Sequence, residues 1–342
     1  MPSSATQTSS YECKVLNQAL QEIGTIQPDL EQSVPTITNN INRTIKRSLD
    51  GVRLLPSDFG SVDPLIDRLK VYGTLNGVRK SLGVFMWTDA SGERRSYGVT
   101  GNATMVDLGG VLDQPLGVPR GFLKGASISQ AIHALAAEVG IVSFNLLNGG
   151  ETLGDAVSFP GNTSRAGVMA QLANMAGWYS PFFSNDGALT TLAPPPITND
   201  TSLVYASGDN IIANTIVESN DLLSAPNRWL VEVTGAEGGG LWAVYDIPAD
   251  QPHSYANRGF YITVSLSVQG IDTVDKAYEA AKAAALADDS TYEWAEFDSI
   301  PSHDHDTFNL VKYLGVMYRE QEWRLPLKAG EVMHHSLRRH YE

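Results

Sequence analysis

Cysteine is nearly absent from this 342-residue chain: Cys13 stands alone, so neither an internal disulfide nor a thiolate metal cage can form. Positive charge is also scarce. Lys and Arg number 24 against 38 Asp and Glu, a formal net charge of -14, which argues against wrapping nucleic acid by phosphate neutralisation and keeps a concentrated protein soluble. No uninterrupted apolar run reaches the roughly 18–20 residues that a bilayer span needs. The first residues lack the basic and apolar regions of a secretory signal, so a soluble, cytosol-made protein is expected. Without secretion, the N-x-S/T triplets at Asn42, Asn102, Asn162 and Asn199 carry no meaning. The G-x-S-x-G, G-x-x-x-x-G-K-[ST] and G-x-G-x-x-G signatures are all missing.

What remains is a folded composition, 42% hydrophobic and 18% charged, in a chain long enough for two or three domains. Its most informative feature is a repeated plan over 127–150 and 163–192: a short amphipathic helix, a glycine stop, then an extended apolar or aromatic stretch. Ser127 and Gln130 have capping-box spacing. Ile128, Ile132, Leu135, Ala136 and Val139 recur at helical intervals up to Gly140. The second copy runs from Thr163-Ser164-Arg165 through Val168, Leu172, Met175 and Ala176 to Gly177. It continues with Trp178-Tyr179, Asn185-Asp186-Gly187 and Leu189. Each helix has one apolar face and must pack on something, a small sheet being the natural partner.

On either side the pattern is that of strands. The stretch 37–56, with Ile37, Ile41 and Ile45 among Arg43, Lys46 and Arg47, is ambiguous between helix and strand. Leu69, Val71 and Tyr72 lead to the hairpin signal Asn76-Gly77. Leu82 to Trp87, Ser91-Gly92 and Tyr97 to Thr100 continue a barrel or sandwich pattern. Pro194-Pro195-Pro196 marks a boundary. Beyond it, Trp229, Val231 and Val233 share one strand face, and Gly238-Gly239-Gly240 reads as a turn. A helix is expected at about 273–287, capped by Thr273 and laid across the end of a barrel. In 308–325, Met317, Arg319, Gln321 and Trp323 alternate with Tyr318, Glu320, Glu322 and Arg324. Arg and Glu on both faces point to an edge or a subunit interface.

The candidate chemistry is thin. His303-Asp304-His305-Asp306 has metal-ligand types in high density. Alternation would put both imidazoles on one face and both carboxylates on the other. No further ligand is identifiable, and a segment that follows Pro301-Ser302 reads as a solvated turn. His303 and His305 are therefore metal candidates set aside. His334-His335 with His340 diverge on any regular element and belong to a basic, exposed tail with Arg338 and Arg339. His133 and Glu138 fall on different helical faces. Asp288-Asp289 and Glu293/Glu296 would need a cleft to act as a carboxylate pair. Trp178-Tyr179 and Phe182-Phe183 suit a core better than a sugar-stacking surface. No catalytic, cofactor-binding or metal residue is assigned, and an enzyme is not expected.

A set of short segments in order gives a resemblance. These are Asp63-Pro64-Leu65-Ile66-Asp67-Arg68-Leu69-Lys70-Val71, Leu82-Gly83-Val84-Phe85, Thr104-Met105-Val106-Asp107 and Gly125-Ala126-Ser127 with Ala131-Ile132 and Gly140-Ile141. Then come Ser164-Arg165-Ala166 to Ala176-Gly177, Asp186-Gly187-Ala188-Leu189, Pro226-Asn227-Arg228-Trp229, and Phe297-Asp298-Ser299-Ile300-Pro301 leading to Asp306. Over roughly residues 40–325 the chain resembles the tail-hub (baseplate hub) proteins of long-tailed bacteriophages, related to the hub part of type VI secretion spikes. The 42–55 stretch is also similar to minor tail proteins of actinobacterial phages.

The resemblance implies a β-rich α+β fold: two small, tube-like β-barrel domains flanking a small α/β module, with a short helix inserted in the second barrel. The expected division is an N-terminal extension (1–36), a first barrel (37–124), the α/β module (125–196), a second barrel (197–325) and a C-terminal tail (326–342). It further implies a homotrimeric structural virion protein at the distal end of a tail tube, adapting six-fold to three-fold symmetry around a DNA exit channel. Implied partners are further copies of itself, the distal tail protein and tail-tube ring, the tape measure protein C-terminus, and tail-tip fibre or spike proteins, with viral DNA only in transit. Assembly would take place in the host bacterial cytoplasm. With no length added after the second barrel, an appended wall-degrading domain is not expected. The alternative function is a tail-tip adhesin binding host envelope carbohydrate through Trp178 and Tyr179.

Overall fold

The computed structural model describes residues 8–27, 33–54, 62–95, 98–148, 150–193, 201, 203–206, 210–212, 216–220, 225–234, 240–288 and 293–339. Tyr97, the proline run at 194–196, Asn199, Gly238, Gly239, Asp289, His340 and the last two residues lie outside this set.

Strands dominate. The first part holds β1 (Ser9–Leu16), β2 (Glu22–Ile26), β3 (Thr36–Asn40), β4 (Arg47–Leu54), β5 (Arg68–Leu75), β6 (Val78–Arg95) and β7 (Gly98–Asp107), followed by the one-turn helix α1 (Gly109–Leu112). The middle holds β8 (Arg120–Phe122), α2 (Ile128–Ala137), β9 (Phe144–Asn145), β10 (Val157–Phe159), α3 (Arg165–Met175), β11 (Phe182–Phe183) and β12 (Leu189–Thr190). The remainder holds β13 (Val204–Tyr205), β14 (Val217–Asn220), β15 (Arg228–Val233), β16 (Trp242–Asp246), α4 (Tyr255–Arg258), β17 (Thr263–Val268) and α5 (Val274–Ala287). It closes with β18 (Glu293–Ser299), β19 (Leu310–Tyr313), β20 (Val316–Pro326) and β21 (Met333–Arg339). The fold is therefore β-rich α+β.

Local signals account for the elements. Ser127 accepts from the Gln130 amide, Ser164 from Gly167 and Thr273 from Lys276, so each of the three longer helices starts on a side-chain cap. Gly140 and Gly177, at φ 84° and 71°, end the first two in the left-handed conformation that glycine adopts without strain. Asn76 and Gly77 both take positive φ, the requirement of the two-residue hairpin turn joining β5 to β6. The described residues 37–54 of the ambiguous stretch form a hairpin, β3 to β4. The repeated helix-then-strand plan is closed by parallel pairing of β9 with β12. A shared core containing Ile132, Leu135, Val168, Leu172 and Trp178 lies beneath it.

The long-range order departs from the expected division. One 13-stranded sheet runs β14-β18-β21-β20-β3-β4-β7-β6-β5-β1-β2, with β19 also on β20 and β13 on β19. The seam is β20, whose Glu322–Pro326 pair with β3 while Tyr318–Arg324 pair with β21. Of the expected extension 1–36, the described residues 8–27 and 33–36 belong to the sheet region: β1 pairs with both β2 and β5, and Cys13, Val15 and Ile26 are core. Nor are the described residues 326–339 a free tail. β21 lies between β18 and β20, and Leu327 and Met333 join Trp323 and Leu325 in the core of the first part. The reason is physical. Alternating apolar residues on these short segments have no other face to bury against.

Helix α5 is also placed differently from expectation. It covers a separate three-stranded sheet, β16-β15-β17, burying Ala277, Ala280 and Ala281 against Trp229, Val231 and Val233. Small alanines let the helix approach closely. No helix among the described residues is long and apolar enough to cross a membrane.

One glycine fixes the approach of the 303 segment to β5. A Cβ on Gly73 would stand 2.5 Å from the His303 ring. Gly73→Ala is expected to cost about 1–3 kcal/mol by overpacking. An unchanged denaturant midpoint would show that the ring does not lie against this strand.

Candidate functional site

The densest polar chemistry lies inside the protein, where β20 crosses the 303–307 segment. β20 does not alternate as its sequence suggests. Its register with β21 shifts between Glu320 and Glu322, and this bulge turns the consecutive Arg319, Glu320 and Gln321 into the interior. The Ile41 amide donates to the Gln321 carbonyl and the Glu320 amide to the Asn309 carbonyl, both at 3.0 Å. The bulged backbone is thus held from both sides. An edge position for β20, expected from its charges, does not occur: it is bordered by β3, β19 and β21.

Glu320, 2% exposed, is the centre. His305 Nδ1 lies 2.6 Å from one carboxylate oxygen and His335 Nδ1 2.7 Å from the other. The outer ring nitrogens are partnered too. His305 Nε2 is 2.7 Å from the Tyr205 hydroxyl and His335 Nε2 2.8 Å from the Ser299 hydroxyl. The His335 ring is packed against Phe297 at 4.8 Å and Tyr205 at 5.0 Å, which fixes its plane. Burial pushes the Glu320 carboxyl upward, but the two imidazoles outweigh it and hold the group below its ordinary value. For His335 burial prevails over the pull of Glu320 and lowers the imidazole pKa. Burial raises that of the Tyr205 hydroxyl.

A second knot adjoins the first. The Arg47 side chain, 1% exposed, bonds the Asp306 carboxylate, Thr307 and Asn185. Asn185 returns a bond to the His305 carbonyl at 3.0 Å, and the Trp323 indole N–H donates to the Asp306 carbonyl at 3.1 Å. Strand β4, the turn after β11 and the 303–307 segment are thereby joined to β20.

The sequence candidates can now be placed. His303 and His305 are buried at 4% and 2% exposed, so the expected solvated turn is corrected. The alternation itself is present, since Asp304 is exposed on Lys80 and Asp306 faces Arg47. The two imidazoles do not share partners: His303 lies by Tyr11 and Gly73, and His305 meets Glu320. His334 and His335 diverge, His334 reaching Asp298 at 2.9 Å, but on an interior strand in place of an exposed tail. His133 is exposed beside Phe144, and Glu138 pairs with Arg120. Asp288 accepts from the Trp229 indole, and Glu293 pairs with Arg339. Trp178, Tyr179, Phe182 and Phe183 are buried, and Trp178 and Tyr179 back an apolar cleft of about 420 Å³ with Trp229, Leu266 and Phe308. Sequence reasoning does not single out Glu320, Tyr205 or Ser299. In sequence Glu320 is one more charge in an alternating strand, Tyr205 sits in no motif, and Ser299 lies in the Phe297–Pro301 segment without a role of its own.

Ser299, His335 and Glu320 have the order of contacts of a hydrolytic triad. Ser299 and His335 are each 0% exposed, however, so no substrate carbonyl can reach the hydroxyl. The arrangement links β13, β18, β20, β21 and the 303–307 segment. Two outcomes follow. A serine-directed phosphonate probe is expected to leave Ser299 unlabelled in the folded chain, and labelling would demonstrate an opening of this interior. Glu320→Ala is expected to cost about 3–5 kcal/mol by stranding two buried imidazoles. Lys80→Ala, at the exposed pair with Asp304, should cost less than about 1 kcal/mol. Chemical denaturation of the two variants checks the contrast.

No family model matches the sequence, and no curated protein matches it either. Solved structures do match. A 43 kDa tail protein of prophage MuSo2 from Shewanella oneidensis superposes with a TM-score of 0.63 at 13% identity, covering 97% of this chain and 98% of that one. The prophage tail protein gp18 from Listeria monocytogenes gives 0.62 at 12% identity over 96% and 94%. The E. coli c3393 protein, a type VI secretion component described as similar to the T4 tail proteins gp27 and gp5, gives 0.52 at 8% identity over 93% and 77%. The chain has the fold of these phage tail and type VI secretion proteins along nearly its whole length.

Proposed function

We propose that this chain is a structural tail protein of a long-tailed phage or prophage, acting as the hub at the distal end of the tail tube. The observation that carries the reading is the fold likeness to prophage tail proteins over 97% of the chain. It is supported by a dry, inward-facing polar centre that serves packing.

In this reading the two β-rich parts act as barrel-like units, and three chains present six of them to a six-fold tube. The central α/β module (125–196) broadens the ring, and the DNA exit channel runs along its axis. The surface offers material for such contacts. Strands β2 and β14 end the large sheet, and β16 and β17 are the edges of the small one. Leu65, Leu123, Val118 and Trp242 stand 87%, 79%, 64% and 62% exposed, apolar side chains that contacts between copies could cover. The proposed neighbours are the distal tail protein, the tube ring, the end of the tape measure and a fibre or spike. The place of action is the virion tail tip, after assembly in the host cytoplasm.

Carbohydrate binding through Trp178 and Tyr179 has little ring surface to use, since the two side chains are only 7% and 4% exposed where they back the cleft. Trp178→Ala is expected to cost about 3–5 kcal/mol of stability and to leave glycan-array binding at background before and after the change. Native mass spectrometry of the full chain should give a trimer, and an intact tail map should show three copies around the axis. A chain that stays monomeric in the virion would remove the hub reading.

A further inference from the structure

The hydrogen bonds around Glu320 admit two proton arrangements. The Ser299 hydroxyl lies 3.0 Å from the Ile300 carbonyl and 2.8 Å from His335 Nε2; when it donates to Nε2, Nδ1–H donates to Glu320 and the network closes. When it donates to Ile300, the proton of the 2.8 Å contact belongs to Nε2 of His335. Nδ1 of a neutral His335 then turns a lone pair toward a carboxylate oxygen 2.7 Å away, and two acceptors at that distance repel unless a cation lies between them. In that second arrangement a further proton or a metal ion supplies the cation. His305 faces the other oxygen of the same carboxylate, and its Nε2 has the Tyr205 hydroxyl as partner.

We propose that His305, Glu320 and His335 form a structural binding site for a divalent transition metal of the zinc class, held by the two Nδ1 atoms and the Glu320 carboxylate. The donor atoms of these three residues lie within 4.8 Å of one another. Two imidazoles and a carboxylate form a borderline nitrogen and oxygen set, which suits zinc or cobalt and not the all-oxygen shells of calcium or magnesium. With Glu320 bidentate, the set supplies four donor atoms. Each ligating imidazole also has the outer-shell partner such sites require, a hydroxyl on its remote nitrogen. Those hydroxyls can accept Nε2–H, Ser299 having the Ile300 carbonyl at 3.0 Å for its own proton, so the surroundings admit the tautomer that frees both Nδ1 lone pairs.

Metal binding asks one movement of the site. Adjacent ligands of a tetrahedral zinc stand about 3.3 Å apart, so the 2.6 and 2.7 Å contacts must each open by roughly 0.6–0.7 Å. The side chains are also sealed from solvent, His335 at 0% exposed. The ion is therefore captured as β20, β21 and the 303–307 segment close on one another, and is not exchanged afterwards. Such a site staples strands and does not catalyse, because it offers no open coordination position to substrate.

The test uses the full chain. It is unfolded in chelator, then refolded in parallel with zinc, with cobalt, and with chelator retained, and desalted before elemental analysis. The expected result is one zinc or cobalt per chain, a visible cobalt spectrum of tetrahedral intensity, and a Tm several degrees above that of the chelator-refolded protein. Glu320→Gln should lose at least tenfold in metal retained. His303→Gln, outside the proposed set, should keep the full equivalent. If the Glu320→Gln variant does not fold, the wild-type comparison still decides. Refolding to the same Tm in chelator, with no stoichiometric metal in either metal arm, would overturn the site and leave a proton-bridged cluster in its place.

Discussion

A carboxylate in a dry interior is the constraint around which the second half of this protein is organised. Glu320 cannot be left unpaired there, because stranding a buried charge costs several kcal/mol. Its two imidazole partners come from different places, His305 from the segment before β19 and His335 from β21. Satisfying it fixes β20 against β21 and pins the 303–307 segment over both. That segment then carries Asp306 to Arg47, which couples β4 and the turn at Asn185 to the same place. Burial of Trp323, Phe297 and Tyr205 around the cluster follows from this geometry as much as it supports it.

How much of this was legible depended on range. Helix starts at Ser127, Ser164 and Thr273 and the turn at Asn76-Gly77 are decided by residues two or three apart, and the sequence shows them directly. The α/β module was readable because its two copies repeat within thirty-odd residues. The seam between β3 and β20 was not, since Asn40 and Glu322 meet across 282 positions and nothing local pairs them. Alternation in sequence matches the burial of His303 and His305 beside the more exposed Asp304 and Asp306, but what buries them lies far off, Tyr11 and Gly73 for His303 and Glu320 for His305. The bulge after Glu320 removed the last local clue, because it turns charged neighbours inward that strict alternation would send to opposite faces.

Geometry and function separate clearly in this interior. A serine, an imidazole and a carboxylate in line resemble catalytic machinery, yet fully covered side chains give a substrate nowhere to sit. A fold shared with tail proteins at 13% identity shows how little of the chemistry must be kept when what is preserved is a shape. Caps, hairpins and a few interior polar contacts are enough to specify it.

The pairing of β3 with β20 has a consequence for synthesis. A ribosome releases β3 early, and the strand must wait, with one hydrogen-bonding edge open, until β20 has been made. Chains that stop short of β20 thus keep an unfinished sheet edge. Any assembly that selects finished sheets would in this way reject partial translation products without a dedicated inspector.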